Sequence, residues 1–346
     1  MNAALSALLL LLPCLLLGVL ILLPGLREMR HPEDAAPLPI DRLYARQDTL
    51  FAERFRELAA PWWELADPLG HGKVHLPSET LCARTLLAQA LSTGVGVRLE
   101  EEAWARENLY LGPEGRARAL VSDGTLRLGR DSRVERWVHG DGDVVLDARA
   151  LVAARVTSNT QVVLGPGSRS QLIAAPTIRW AGPYRPTGLE IPSHGRVWMR
   201  RRQIKETGVN WAIPRHGEAR GSTAFVNGDL ILDAEADVDF PLVVRGNLYI
   251  RRGALIAGDI KAHGDMVVEG STIVGNLCCG GQLLVGEGSW VQGCLRGDAL
   301  VWLGNGVVVG RPQRAEGVVG DWVILAGTGT VHGRIRALTG WIEVEP

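Results

Sequence analysis

Between Gly228 and Pro346 the chain repeats itself every 17 or 18 residues, and no other feature limits its possible folds so tightly. Four successive lines are GDLILDAEADVDFPLVVR (228–245), GNLYIRRGALIAGDIKAH (246–263), GDMVVEGSTIVGNLCCG (264–280) and GQLLVGEGSWVQGCLRG (281–297). Each opens on Gly, continues with Asp, Asn or Gln, and then splits into three short apolar runs parted by Gly. A repeat of this length without helical periodicity specifies a β-solenoid, in which one line makes one coil and its neighbours cover it. Alternate apolar side chains point into the coil, and the chain turns a corner at the end of each run.

The same period occurs upstream in TLRLGRDSRVERWVHGDG (125–142), DVVLDARALVAARVTSNT (143–160) and QVVLGPGSRSQLIAAPTI (161–178). Aligned, Leu126, Val144 and Val162 fall in one column and Leu128, Leu146 and Leu164 in another. NLYLGPEGRARALVSDG (108–124) fits ahead of them. The fold class expected is all-β: a right-handed β-helix preceded by a transmembrane helix and a small α-helical region. The expected division is an anchor (1–30), a linker with capping helices (31–95), a first β-helix block (96–178), a basic insertion or linker (179–227) and a second β-helix (228–346).

Ala3 to Leu26 carries no charge and is long enough for one membrane-spanning helix. No Lys or Arg precedes it, which disfavours a cleaved signal peptide. Arg27 and Arg30 flank its C-terminal side and place the remainder in the cytoplasm by the positive-inside rule. After a Pro-rich linker, Asp41 to Ala60 has the spacing of an amphipathic helix. Phe51, Phe55 and Leu58 share its apolar face, and Pro61 ends it. Ser78 to Leu91 has the signals of a second helix, with Ser78 as N-cap and Gly94 beyond its end. Both are expected to cover the open upstream end of the solenoid, because a bare coil exposes core and unpaired strand edges.

The stretch 179–227 breaks the period and carries nine basic residues against three acidic ones. Arg200, Arg201, Arg202 and Lys205 beside Trp198 and Met199 are candidates for an anionic partner or membrane surface. A solvated linker is the plainer reading. With 37 basic and 38 acidic residues overall, the charge gives no argument for nucleic acid.

The candidates for chemistry are few. His139, Asp141 and Asp143 (HGDGD) suit a Ca²⁺ loop but suit a tight turn better, because the Ca²⁺-binding nonapeptide is missing. Asp233, Glu235, Asp237 and Asp239 alternate and are expected on one outward face, with Ala234, Ala236 and Val238 inward. His263 or His332 at coil corners would serve as general base in a hexapeptide-type acyltransferase, but the six-residue step is not kept. Cys14, Cys82, Cys278, Cys279 and Cys294 lack metal-ligand spacing and suit small buried residues in a reducing compartment. No catalytic residue, cofactor or metal site is assigned.

The run GNLYIRRGALIAGDIKAHGDMVVEGSTIVGNLCCGGQLLVGEGSWVQGCL (246–295) resembles the bactofilins, bacterial polymer-forming cytoskeletal proteins. The likeness lies in the openings at 246, 258 and 264, the GSTIVGNL run at 270–277 and the period, and the domain it marks, 228–346, covers about a third of the chain. It implies a nucleotide-free scaffold that self-associates end to end, sits at the bacterial inner membrane and positions envelope or cell-shape proteins. The last lines have no capping helix. Trp341, Ile342 and Val344 are therefore the expected self-association contact at an open downstream end. A β-helical binding module for polysaccharide or envelope machinery is the alternative, and it would show an exposed aromatic row.

Overall fold

The computed structural model describes residues 47–65, 72–182, 197–198, 217–220, 222–312 and 316–346. Phe51–Pro346 forms one unit, an all-β solenoid of right-handed type with about 13 turns. Its strands make a single hydrogen-bonded sheet. The columns set by the repeat are the columns of the structure. Val144 pairs in parallel register with Leu126 on one side and Val162 on the other, and Leu146 sits likewise between Leu128 and Leu164. All six side chains are buried. In the second block Leu230, Leu248, Met266 and Leu283 stack in the same way, and each is fully buried.

The Gly-Asp/Asn opening of each coil has a physical cause. Asp229 Oδ1 accepts the backbone N–H of Asn247 at 2.7 Å. Asn247 Oδ1 accepts that of Asp265 at 2.9 Å, and Asp265 Oδ1 accepts that of Gln282 at 2.8 Å. A short acceptor side chain at each corner therefore satisfies the next coil's donor, which the sheet ladder leaves unpaired there. The preceding residue must be Gly: a Cβ at Gly264 would run into Asn247 Oδ1.

The first block starts earlier than 96. Lys73–Leu76, Leu81–Cys82 and Leu86–Ala88 are the three sides of its first coil, paired in parallel with Ala90–Thr93 and with Arg98–Ala105. The helix expected over Ser78–Leu91 is thus replaced by strands. Ser78 accepts from Val95 N across the coil corner, at 3.1 Å, and does not cap a helix. Glu79 takes the left-handed corner conformation at φ 61°. Helix-favouring residues yield here because Leu87, Ala88 and Leu91 bury their side chains in or against the stack.

One α-helix is described, α1 (Leu50–Leu65). It lies along the flank of the first block and does not close its end. Ala52, Ala59 and Trp63 pack on Leu87, Trp104 and Val121 from three successive coils, with Phe55 against Trp137. Trp63 meets Trp104 edge-on at 5.5 Å, and Phe55 meets Trp137 at 6.1 Å. Leu58, expected on the apolar face, is 71% exposed, and Pro61 lies inside the helix. The docked face is set by the column of large side chains on the flank, and burial of Trp63 holds the turn that Pro61 weakens.

The two blocks meet tail to tail. The last strand of the first block, Arg169–Ala181, pairs antiparallel with Thr328–Ala337 and with Ile342–Val344 of the second. The coil-to-coil pairings within each block are parallel; apart from the short hairpin of Gly217–Arg220 with Thr223–Val226, strand direction among the described residues reverses only at this junction. Two coils of one hand stacked with opposed axes must meet this way, because a half-turn that inverts the axis keeps the hand and reverses the strands. The apolar core runs through the junction: Ile173, Ile178, Val331, Ile335, Ile342 and Val344 are all buried within one cluster. Trp180 closes over Gly329 and donates its indole N–H to Ala326 O at 3.1 Å.

Candidate functional site

The tail end, expected to be open, is occupied by the chain itself. Ile342 faces Ser170 in antiparallel register, Val344 N donates to Ser168 O at 3.1 Å, and Gly167 N donates to Val344 O at 2.9 Å. Ile342 and Val344 are buried, and Trp341 is half-buried with its carbonyl bound to Val323 N at 3.0 Å. This corrects the assignment of Trp341, Ile342 and Val344 to a contact between molecules. A terminal coil exposes edges that any matching coil end can cover, and the first block supplies one within the same chain.

The opposite end of the first block differs. Among the described residues the strands Lys73–Leu76, Leu81–Cys82 and Leu86–Ala88 pair only toward the second coil. Their outer edges carry backbone donors and acceptors without sheet partners. Val74, Leu76, Cys82 and Leu86 are partly buried apolar side chains at the end of the core, and Leu81 is 59% exposed.

Beneath α1 lies a polar cluster that the periodicity did not reveal. Ser122-Asp123-Gly124 and Gly140-Asp141-Gly142 are successive coil corners in register. The two carboxylates are one rung apart, about 4.8 Å along the stack, and would repel without a shared cation. Arg56 provides it, with Nη2 at 2.7 Å from Asp123 Oδ1 and 2.9 Å from Asp141 Oδ2. Trp104 Nε1 donates to Asp123 Oδ1 at 2.9 Å, and Asn159 Nδ2 donates to Asp141 Oδ1 at 2.9 Å. His139 is buried here, with Nδ1 at 2.8 Å from Thr157 Oγ1 and Nε2 at 3.1 Å from Asp141 Oδ1. Burial holds its pKa below the ordinary value, against the pull of Asp141. The signal in the sequence was the recurrence of Asp at equal corner positions beside a helix carrying one Arg on its inner side.

The HGDGD motif is therefore structural. Asp143 accepts from Thr160 Oγ1 and from Gln161 Nε2 of the next coil, both at 2.7 Å. Among the described residues no group of three or more His, Cys, Asp or Glu side chains is placed to hold a metal ion. The expected acidic row is broken: Glu235 sits at a left-handed corner (φ 61°), Ala234 is exposed, and Asp233 pairs with Arg251 at 3.2 Å. His332 Nδ1 is 3.2 Å from Pro176 O at the junction, and His263 is exposed at a corner of a different coil. Cys279 is buried, Cys82 and Cys278 are half-buried, and Cys294 is exposed; all four are reduced.

Arg200, Arg201, Arg202 and Lys205 lie outside the described residues, as do Cys14 and the apolar run 3–26. No helix among the described residues is long and apolar enough to cross a membrane. Comparison with family models, with curated proteins and with solved structures found no match.

Proposed function

We propose that the chain is a membrane-anchored scaffold without catalysis, which self-associates through the free end of its first block and organises partners at the bacterial inner membrane. Residues 3–26 would anchor it, with the solenoid in the cytoplasm, and envelope or cell-shape proteins would be its partners. The observation that carries this reading is the outer edge of the first coil, which has no strand partner among the described residues. An exposed row of strand donors and acceptors above an apolar core is a template for another strand. The tail junction supports it from within the chain, because there two coil ends of the same solenoid join through antiparallel strands. The resemblance of 246–295 to bactofilins adds the inner-membrane and cell-shape context.

The bactofilin-like block has its tail covered, so association would run through the first coil and would close as a pair by two-fold symmetry. Sedimentation of the full chain in detergent micelles tests this. A concentration-dependent dimer is expected, and Val74→Lys should return it to monomer with unchanged circular dichroism. A wild-type chain that stays monomeric at the highest attainable concentration would sink the proposal.

The binding-module alternative required tryptophans in a row. Trp290 stacks with Thr272 and Val308, Trp322 stacks with Leu300, and Trp104, Trp180 and Trp302 are buried. No aromatic row forms among the described residues. The acyltransferase alternative gains no observation either, with His332 held at the junction and His263 on another coil.

A further inference from the structure

On one side of the first block, one column of outward positions reads Leu81, Arg98, Arg116, Arg133, Leu151 from coil to coil in unbroken register. Three exposed guanidinium groups are thus stacked at about 4.8 Å per rung and bounded by leucine at both ends. None of the three has a carboxylate within ion-pair distance among the described residues, although arginines elsewhere in the block are paired, as Arg118 with Glu101 at 2.6 Å and Arg127 with Asp147 at 3.0 Å. The row lines a groove of about 630 Å³. Stacked like charges repel one another, and a bound anion on each rung would relieve that repulsion.

The opposite wall selects the kind of anion. It is the corner column Glu79, Gly96, Glu114, Asp131, every member in the left-handed conformation (φ 57–68°), which aims these side chains along one groove edge. Asp131 is taken by Arg149 through two contacts of 2.6 Å. Glu79 and Glu114 remain exposed as acceptors. A dense polyanion such as polyphosphate or nucleic acid would be repelled by that wall. A chain with one carboxylate per unit and hydroxyl groups between them matches both walls. The carboxylates take bidentate Arg contacts, and the hydroxyls donate to Glu79 and Glu114.

We infer that this groove binds an acidic polysaccharide of the uronate class, with carboxylates held on the row of Arg98, Arg116 and Arg133. The inference is independent of the proposed function: it needs neither self-association through the first coil nor the cytoplasmic placement of the solenoid.

Calorimetric titration of the full-length protein at low salt tests it, with hexagalacturonate, neutral maltohexaose and linear polyphosphate as probes. Hexagalacturonate should bind, maltohexaose should not, and affinity should fall as salt rises. Arg116→Gln should weaken binding about tenfold or more, with Arg98→Gln and Arg133→Gln in the same direction. Lys261→Gln, exposed on the second block, should leave it unchanged, and thermal unfolding should be the same for all four variants. Equal binding of the neutral glycan, tighter binding of polyphosphate, absence of uronate binding, or an unaltered Arg116→Gln titration would each overturn the inference.

Discussion

Arg169 and Glu343 face one another across the junction of the two blocks, register partners in antiparallel strands with Nη2 2.6 Å from Oε1. They are 174 residues apart in the chain and lie in blocks whose coils run in opposite directions. The pair marks where one solenoid seals the other. The ion pair is a minor part of that seal, because the Arg169 side chain is 47% exposed. A double-mutant cycle at Arg169 and Glu343 should give a coupling of about 0.2–1 kcal/mol, declining with salt. Ile342→Ala beside it should cost about 2–4 kcal/mol in chemical denaturation, because Ile342 is buried between the strands of both blocks. An Ile342→Ala loss no larger than that of an exposed side chain would mean the two tails do not meet in solution.

Arg56 fastens α1 to the flank. Arg56→Met keeps the aliphatic stem but leaves Asp123 and Asp141 facing each other without a cation. A loss of about 1–3 kcal/mol is expected, read as faster amide exchange in Leu50–Leu65. Adding Asp123→Asn to Arg56→Met should restore part of it, since one of the two repelling charges is removed. A double variant less stable than the single would contradict the shared-cation account.

The same cluster makes the docking of α1 acid-sensitive. Burial holds the His139 pKa below its ordinary 6.5, opposed by the hydrogen bond to Asp141 and reinforced by the Arg56 charge, with Glu53 acting weakly to raise it. A histidine with a depressed pKa contributes stability that is intact above the unfolded value and is lost as pH falls through the folded one. Unfolding free energy should therefore drop below about pH 6.5 in the wild type. His139→Gln, which keeps hydrogen-bonding groups near Thr157 and Asp141, should flatten that part of the profile. Identical acid limbs for both proteins would remove His139 from the explanation.

Two cysteines should report on burial within two successive coils. Burial pushes the Cys279 thiol from 9.0 up to about 11, whereas Cys294 is exposed. Iodoacetamide at pH 8 should label Cys294 in the native protein and leave Cys279 unmodified until the protein is denatured, as mass spectrometry would show. The raised pKa also contributes stability that is fully present below pH 9 and is lost as pH rises toward 11. Native labelling of Cys279 at a rate equal to that of Cys294 would place that coil wall outside the core.

The solenoid was legible because its cause is local and repeated. Leu126, Val144 and Val162 recur at a fixed step, and a chain whose apolar residues keep that step buries them only by stacking. The first coil was hidden for the converse reason. Residues 78–91 hold good helix formers, and their strand state depends on pairing with Arg98–Ala105. The alternation of 233–239 holds only after Glu235, where Ala236 and Val238 are buried; the left-handed corner at Glu235 resets the direction of the side chains and leaves Ala234 exposed. The clamp under α1 is not legible in the sequence because Arg56 and Asp141 are 85 residues apart, and the period that aligns Asp123 with Asp141 does not extend to Arg56.

By itself the sequence determined what each coil is: its length, its inward columns, and the Asp or Asn that accepts a hydrogen bond from the next corner. These follow from side-chain size, backbone freedom at Gly and unsatisfied amide groups, all of which act within neighbouring turns. Which coil end is covered, and by what, was decided only by the tertiary structure. Any coil end of matching hand can pair with any other, so nothing local to Ile342 or Ser170 names its partner. The choice rests on one continuous apolar core forming when the tails of the two blocks meet.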